Sequence, residues 1–498
     1  MIATDVIAAI ATPPGRGAVG IVRLSGSGAI EVFAKIFRAA GQPMYRKTAN
    51  GSASVMEAQP TRDVPPAPVA VEPLAPAVKP GFESHRMYYG RVYAGIDTSA
   101  EFVDEVMACC MLAPRSYTME DIVEIYAHGG VATLHGVLNA ALNNGARLAL
   151  PGEFTKRAFF NGRINLTQAE AVMDLISAKT GIARRAGLRQ LGGGLSRRII
   201  DARDKLLVWL AHIELSIDYP EHEDEAMNRE TILREGVAWI DEMAVLYKTA
   251  SLGRVLREGI KTAILGRPNV GKSTLLNAML GEDRAIVHEI PGTTRDVLAE
   301  QVQIGDVVLQ LMDTAGIRDT SDPVERIGVD KTYAAAEDAE LVIYVMDSSL
   351  PPPPEDIDIL AGLRNKQVII VLNKCDLPRD AGWKKLPNWD EDAVIAISAQ
   401  NRFGLDRLYN ELQQRFINGL IFAEDAETDI ITRERHKALL DVAIQRVDYA
   451  MAEFRMGIAE DLVSIGLREA YTALGEILGL EVSDDIVDRI FSEFCVGK

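Results

Sequence analysis

Apolar residues along this chain fall into patterns that change at recognisable places. Short apolar runs open it: Asp5–Ala11 and Ala18–Leu24 read as strands, separated by the turn-rich Ala11-Thr-Pro-Pro-Gly-Arg-Gly17. Strand-like sequence resumes at His85–Ile96 and Glu101–Leu112. Between these runs, residues 41–83 carry seven prolines from Pro60 to Pro80, interleaved with Ala and Val. Such a stretch cannot bury enough apolar surface to offset its ordering entropy, so it is expected to be a disordered insertion within a folded domain. From about Phe154 the period lengthens, and Leu166–Ile176 and Leu195–Ile217 predict helices from three- and four-residue spacing. Ile260–Leu265, Val307–Met312 and Ala393–Ile397 then read as buried strands and Lys272–Leu280 as a helix. Helical spacing returns in Thr432–Phe454 and Ala459–Leu478, followed by a short tail to Lys498.

The order of these patterns predicts a multidomain chain. An α+β N-terminal domain occupies 1–153, and an all-α helical domain is split between 154–256 and 419–498. An α/β domain at 257–418 is inserted between the two helical parts. No internal repeat is evident.

Four short motifs sit at the ends of the strand-like runs of the α/β part. They are Gly266-Arg-Pro-Asn-Val-Gly-Lys-Ser273, Gly292-Thr-Thr-Arg295, Asp313-Thr-Ala-Gly316 and Asn373-Lys-Cys-Asp376. Any one is a weak pattern; in this order they predict a Ras-like P-loop GTPase domain. The first opens a helix, where unpaired backbone N–H groups and the helix dipole stabilise phosphate oxygens. Asn269, Val270, Gly271, Lys272, Ser273 and Thr274 are expected to line the phosphates, with Lys272 on the β- and γ-phosphates and the Ser273 hydroxyl on Mg2+. Thr293 and Thr294 follow, Thr294 completing the magnesium shell when GTP is bound. Asp313 suits a contact to the metal's water, and the Gly316 N–H can sense the γ-phosphate. Asp376 selects guanine, because its carboxylate accepts from the ring N1–H and the exocyclic amine, a donor pair adenine lacks. Asn373 is expected at the purine's other edge and the Lys374 stem over its face, with Ser398 and Ala399 closing the base pocket.

Two positions depart from the small signalling GTPases. Ile317 stands where those proteins place a water-orienting Gln, so another group must act. Asn269 could coordinate a monovalent cation through its side-chain oxygen, or could simply shape the loop.

Charge and cysteine usage refine the picture. The net charge of −18 argues against bulk attraction to nucleic acid. Lys156–Lys205 nevertheless holds eleven Lys/Arg against four Asp/Glu, which fits either a solvated helical face or an anionic partner such as tRNA. Cys109, Cys110, Cys375 and Cys495 have neither metal-ligand nor disulfide spacing. The first two read as core. No apolar run approaches the roughly 18 residues of a membrane helix, and no export signal is visible at the start, so a cytoplasmic protein is expected.

Several segments outside the nucleotide motifs, taken with them, resemble one family. These are Ala11-Thr-Pro-Pro-Gly-Arg-Gly-Ala-Val-Gly20, Pro151-Gly-Glu-Phe-Thr-Lys-Arg-Ala-Phe159, Gln168-Ala-Glu-Ala171, Asp313-Thr-Ala-Gly-Ile-Arg318 with Val324-Glu-Arg-Ile-Gly328, and Phe494-Cys-Val-Gly-Lys498. They are similar to the MnmE (TrmE) tRNA modification GTPases over essentially the whole chain apart from 41–83.

The resemblance implies building a carboxymethylaminomethyl or aminomethyl group on C5 of the wobble uridine of certain tRNAs, jointly with the FAD-dependent MnmG (GidA). It implies a homodimer whose N-terminal, tetrahydrofolate-binding-like domain takes 5-formyl-tetrahydrofolate or a related one-carbon folate. By motif position Arg23, Glu124, Arg163 and Lys498 match the folate contacts. Read from the residues alone, Arg23 could equally be a surface strand residue and Glu124 a buried hydrogen-bonding carboxylate. The resemblance also implies K+ stimulation, with Asn269, His288, Ile290 and Thr293 at the ion, and Glu325 orienting the attacking water. Spacing alone would make Glu325 a solvated helix-start residue. Cys495 would be a small residue in the folate site. Met119 stands where relatives usually have Gly, in the loop leading to Glu124.

A ribosome-assembly GTPase, an RNA-binding switch without tRNA chemistry, is the alternative. No Gly-X-X-Gly loop in a KH-like context follows residue 416.

Overall fold

A computed structural model describes residues 5–13, 15–39, 46–47, 53–54, 81–95, 101–218, 229–281, 300–312, 337–363, 365–385, 394–424 and 429–498. Most of the Pro/Ala-rich insertion lies outside these residues. The chain forms two compact units, Met1–Glu170 with Gly479–Lys498, and Ala171–Leu478.

The first unit is built on a seven-stranded sheet. Its elements are β1 (Val6–Ile10), β2 (Val19–Ser25), α1 (Ala29–Ile36), β3 (Phe37–Ala39), the short pair β4 (Arg46–Lys47) and β5 (Ala53–Ser54), β6 (Arg86–Tyr93), β7 (Phe102–Met111), β8 (Ile122–His128), α2 (Val131–Asn143), β9 (Ala146–Leu148) and α3 (Glu153–Phe160). The sheet order is β3-β6-β7-β8-β2-β1-β9, with only β1 and β9 parallel. Buried and less buried residues alternate along β7, as expected when one face of an antiparallel strand is covered. Phe33, Val22, Ile125, Val137 and Cys110 lie in the core between the sheet and α1/α2. Burial pushes the Cys110 thiol up to about 12, consistent with an inert core cysteine.

The second unit begins within α4 (Leu166–Ser177) and continues with α5 (Gly181–Leu191), α6 (Gly194–Asp218) and α7 (Arg229–Glu258). Its α/β portion contains β10 (Ile260–Leu265), α8 (Lys272–Leu280), β11 (Glu300–Ile304), β12 (Val307–Leu311), β13 (Leu341–Asp347), α9 (Pro354–Gly362), β14 (Gln367–Asn373), β15 (Val394–Ala396) and α10 (Leu405–Glu424). Helices α11 (Glu434–Met456) and α12 (Glu460–Leu478) follow. The sheet runs β11-β12-β10-β13-β14-β15, parallel except for the β11–β12 hairpin. Every residue of β13 is buried, the continuous apolar run of a strand covered on both faces. Helices α6, α7, α11 and α12 share a separate core around Trp209, Trp239, Leu440 and Leu467, so helical sequence from both sides of the α/β segment meets there.

Two helices exceed what periodicity indicated. The 30-residue α7 escapes notice because its buried stripe includes Gly236, Ala250 and Gly253. Those small residues answer to packing: a Cβ at Gly236 would lie 2.3 Å from Met451 Sδ, and one at Gly253 would lie 1.9 Å from the Ile431 carbonyl. The short tail, expected to close the helical part 419–498, contains α13 (Asp484–Ser492) and groups with the first unit instead. Ile486, Val487, Ile490 and Phe491 do follow helical spacing there, but over little more than two turns, a window shorter than the periodicity reading uses.

The basic run Lys156–Lys205 is not a uniform solvated face. Lys156 pairs with Asp488, Arg189 with Asp429 and Lys205 with Glu242, while Arg203 lies 3.7 Å over the Tyr471 ring.

Candidate functional site

In the second unit, β10 lies between β12 and β13, so its carboxyl end is a topological switch point of the sheet. The loop Gly266–Gly271 sits there and leads into α8. Its shape demands residues that tolerate left-handed backbone: φ is 142° at Gly266, 63° at Asn269 and 101° at Gly271. A Cβ at Gly266 would approach the Val345 carbonyl to 2.1 Å, and one at Gly271 would meet Asn373 Nδ2 at the same distance. Val270 is buried while Asn269 is exposed. Lys272 Nζ donates to the carbonyls of Gly266 (2.8 Å) and Arg267 (2.9 Å), so the ammonium bridges the loop it follows. Ser273 and Thr274 lie on the first turn of α8.

The base-loop motif begins at the end of β14. Asn373 is buried, and its amide spans three motifs: Nδ2 donates to the Val270 carbonyl (2.8 Å) and Oδ1 accepts from Ala399 N–H (2.9 Å). These bonds need the close approach of the β14 end to the phosphate loop, which Gly271 permits; Nδ2 keeps a second hydrogen and Oδ1 a second lone pair, as the purine-edge contact expected of Asn373 requires. Lys374 has φ 63° and donates to Asp347 Oδ2 at 2.6 Å. Asp376 is exposed in the following turn. Ser398 and Ala399 are buried beside it; Ser398 Oγ accepts from Asn401 N–H (3.3 Å), and the Cys375 N–H donates to the Ile397 carbonyl (3.0 Å).

Asp347 is a residue that sequence reasoning missed. Burial would push its carboxyl up, but hydrogen bonds from Lys374 and Ser349 outweigh that and hold it below the ordinary carboxylate range. Its signal was an acidic residue closing the apolar strand Leu341–Met346. His288, Ile290, Thr293, Thr294, Asp313, Gly316 and Glu325 all lie outside the described residues.

In the first unit, Arg23 on β2 faces Glu124 on β8 in direct register. Arg23 Nε and Nη2 both reach Glu124 Oε1, at 2.9 and 2.7 Å, and Nη1 donates to the Gly497 carbonyl at 3.1 Å. Arg23 is therefore no free surface residue. Glu124 Oε2 accepts from Tyr126 Oη at 2.6 Å, and burial together with that bond raises the tyrosine's pKa. The guanidinium of Arg23 lies 5.9 Å from the Tyr117 ring and 5.7 Å from that of Phe154. Arg163 stacks on the same Tyr117 at 4.6 Å and donates to its carbonyl at 3.0 Å. The Lys498 N–H donates to the Cys495 carbonyl, and Gly497 has φ 94° because a Cβ there would lie 2.6 Å from the Ile10 carbonyl.

Thus Arg23, Glu124, Arg163 and the Gly497 carbonyl converge, and Tyr117, Tyr126 and Phe154 join them unforeseen. The 116–121 loop that carries Tyr117 is anchored from below. Glu120 accepts from Arg157 (3.1 Å) and Ser25 (2.8 Å), and Arg157 also binds Asp5 (2.8 Å) and Glu153 (3.1 Å). Met119 adopts φ 60°, a left-handed conformation that suits glycine.

A glycine-rich loop at the switch point of a doubly wound sheet, tied to an Asn-Lys-Cys-Asp turn, defines a P-loop GTPase fold. Two family profiles extend this beyond that unit: the MnmE helical domain matches residues 166–495 and the GTP-binding protein TrmE N-terminus matches 6–163. The chain belongs to the MnmE (TrmE) family. It is 41% identical over 494 residues to the tRNA modification GTPase MnmE of Finegoldia magna, spanning 99% of this chain and 100% of that protein. It is 42% identical over 497 residues to the protein of the same name from Geobacillus kaustophilus, spanning 99% of each. Among the described residues no helix is long and apolar enough to cross a membrane.

Proposed function

We propose that this chain hydrolyses GTP as part of tRNA modification, stimulated by K+ and acting with the FAD-dependent MnmG (GidA) on C5 of the wobble uridine. The observation that carries the nucleotide half of this reading is the Asn373 amide, which joins the phosphate loop at Val270 to the base loop at Ala399. Family membership over the whole chain carries the tRNA half.

The N-terminus of α8 presents backbone N–H groups to phosphate oxygens, and Lys272 must exchange its loop carbonyls for the β- and γ-phosphates. Asp376, exposed at the rim, accepts from the guanine N1–H and amine, while the Lys374 stem covers the ring and Asp347 holds its ammonium to one side. Glu325 orients the attacking water in the place of the missing Gln. Ser273, with Thr294 and, through water, Asp313, would hold Mg2+, and the half-buried Ser273 on the first turn of α8 suits that role; when bound the ion neutralises phosphate charge. Asn269, with Thr293 and the carbonyls of His288 and Ile290, would hold K+, and the exposed left-handed Asn269 suits such a ligand. When bound the cation offsets charge developing between the phosphates.

Arg23, Glu124, Arg163 and Lys498 would hold a one-carbon folate. Two guanidinium groups and a carboxylate among Tyr117 and Phe154 fit a ligand with a flat polar ring and a carboxylate tail. When bound the folate supplies the one-carbon unit. The acting form is a homodimer formed through the N-terminal unit, in the cytoplasm.

Nucleoside mass spectrometry of tRNA from cells with and without this gene tests the reading. Wobble uridines should lose the C5 substituent in its absence, and unchanged uridines would sink it. Exchanging potassium for sodium should slow hydrolysis by about tenfold or more; equal turnover in both salts removes Asn269 as an ion ligand.

A further inference from the structure

The β11–β12 hairpin connects the two loops expected to sense the γ-phosphate. Glu300 follows Arg295 by five positions, and Asp313 follows Leu311 by two. Among the described residues β11 is also the outermost strand of its sheet, so one edge of the hairpin has no strand neighbour there.

That hairpin is gripped by chain from outside the α/β segment. Lys179, in the link between α4 and α5, donates its ammonium to Gln301 Oε1 on β11. Thr180 caps α5, its side chain accepting from Ala183 N–H at 3.1 Å, which fixes the direction of the helix. Two residues on, Ile182 is 3% exposed and packs in the same core as Val302, Ile304, Val307 and Leu309 of the hairpin. At the hairpin turn, a Cβ on Gly181 would sit 3.6 Å from Asp306 Oδ1. Burial lowers the Lys179 pKa, and the Gln301 amide it bonds is neutral. An ammonium in that setting is an expensive way to fill space, since an apolar side chain would cover the edge without the desolvation cost.

Resting on the GTPase reading above, we infer that Lys179 is a positioning residue for GTP hydrolysis, fixing the β11–β12 hairpin and through it the loops on either side. The same contact makes α5 the element that follows the state of those loops. A hairpin joined at both ends to nucleotide-sensing loops cannot shift without moving Gln301. Lys179, Thr180 and Ile182 carry that shift into α5, which packs on α6 and α7 of the helical core.

The test uses the full-length chain with Lys179→Met, Lys179→Arg, Gln301→Leu and the Met/Leu double variant. GDP affinity is measured by calorimetry and GTP turnover at saturating potassium. Amide exchange over residues 181–191 is followed with GDP and with GDP–aluminium fluoride. Lys179→Met should lower kcat about tenfold with KM and GDP affinity within about twofold, and Lys179→Arg should recover most of the rate. Gln301→Leu should act alike, and the double variant should be no slower than either single one. The exchange difference between the two nucleotide states should vanish in Lys179→Met. Unchanged kcat with a wild-type exchange response overturns the inference. So does a parallel fall in kcat, GDP affinity and melting temperature, which marks a merely structural contact. The wild-type arm keeps the two readings apart. A wild-type chain that fails to bind GDP removes the functional reading and this inference together, whereas normal wild-type hydrolysis with an indifferent Lys179→Met overturns the inference alone.

Discussion

In the cradle at residues 266–273 the backbone makes the shape. Left-handed glycines at its ends let the loop pass so near Val345 and Asn373 that a Cβ at Gly266 or Gly271 would lie 2.1 Å from the Val345 carbonyl or the Asn373 amide, and the side chains tie the loops together from behind. Around Arg23 the reverse holds. An ordinary antiparallel register sets Arg23 against Glu124, and side chains from β2, the 116–121 loop, β8 and the Arg163 turn fill the site, joined by the Gly497 carbonyl of the C-terminal tail. The first site is thus specified by conformation over a few consecutive residues, the second by charge and aromatic contact over distant ones. Damage to the first should act through sterics and to the second through lost partners.

The sharpest way to break that contrast is Gly271→Ala. The added Cβ must displace the Asn373 amide at a φ of 101°, so GTP affinity should fall at least about a hundredfold in calorimetry. Binding of 5-formyl-tetrahydrofolate should be unaffected; a loss at both sites would show that the two are not separately specified. Arg23→Ala comes next. It leaves Glu124 with Tyr126 and frees the Gly497 carbonyl, and should weaken folate binding about tenfold and cost about 1–3 kcal/mol of stability, with GTP affinity unchanged. An unaltered folate isotherm would remove Arg23 from that site.

Acid should separate the regions further. In the first unit burial raises the carboxyls of Asp5 and Glu153, but Arg147 and Arg157 win and hold both below their ordinary values. A folded pKa below the unfolded one, about 4, gives stability that is fully present above that pH and lost as pH falls through the lowered values. Melting curves between pH 7 and pH 2 should therefore show an acid limb that Glu153→Gln flattens; an identical limb in the variant refutes the assignment. The smallest effect is expected from Met119→Gly. Relief of a left-handed methionine offsets the added chain entropy of glycine, for a net gain of roughly 0.5 kcal/mol seen as a slightly higher melting temperature.

The same contrast explains what was legible in the sequence. Ile260–Leu265 and Lys272–Leu280 were readable to the residue, because a buried parallel strand is a continuous apolar run and the glycine-rich loop punctuates it. The phosphate and base loops were legible as short motifs, and the structure brings Gly266–Ser273, Asn373–Asp376 and Ser398–Ala399 together. The Asn373 strut was not, because an amide's partners depend on how closely two loops approach, which no spacing encodes. Asp347 was lost for a similar reason: its role exists only beside Lys374, 27 positions on. Arg23 and Glu124 were found only through family likeness. Nothing local distinguishes Arg23 from a surface strand residue or Glu124 from any buried hydrogen-bonding carboxylate, and Tyr117 and Phe154 carry no signal before the fold places them under the guanidinium. Helix α7 fell within the expected helical stretch 154–256 but was not read as a separate helix, because the glycines that let Met451 and the Ile431 carbonyl approach also dilute its apolar stripe.

The buried amide of Asn373 has a thermodynamic corollary for any ligand that spans the cradle. One rigid crosspiece fixes the spacing between the seat for the purine and the seat for the phosphates, so neither can settle without setting the other. Fragments should therefore bind poorly: guanosine alone and pyrophosphate alone each surrender translational and rotational freedom that the intact nucleotide surrenders once, in a receptor already spaced for it, so their binding free energies should add up to less than that of the whole.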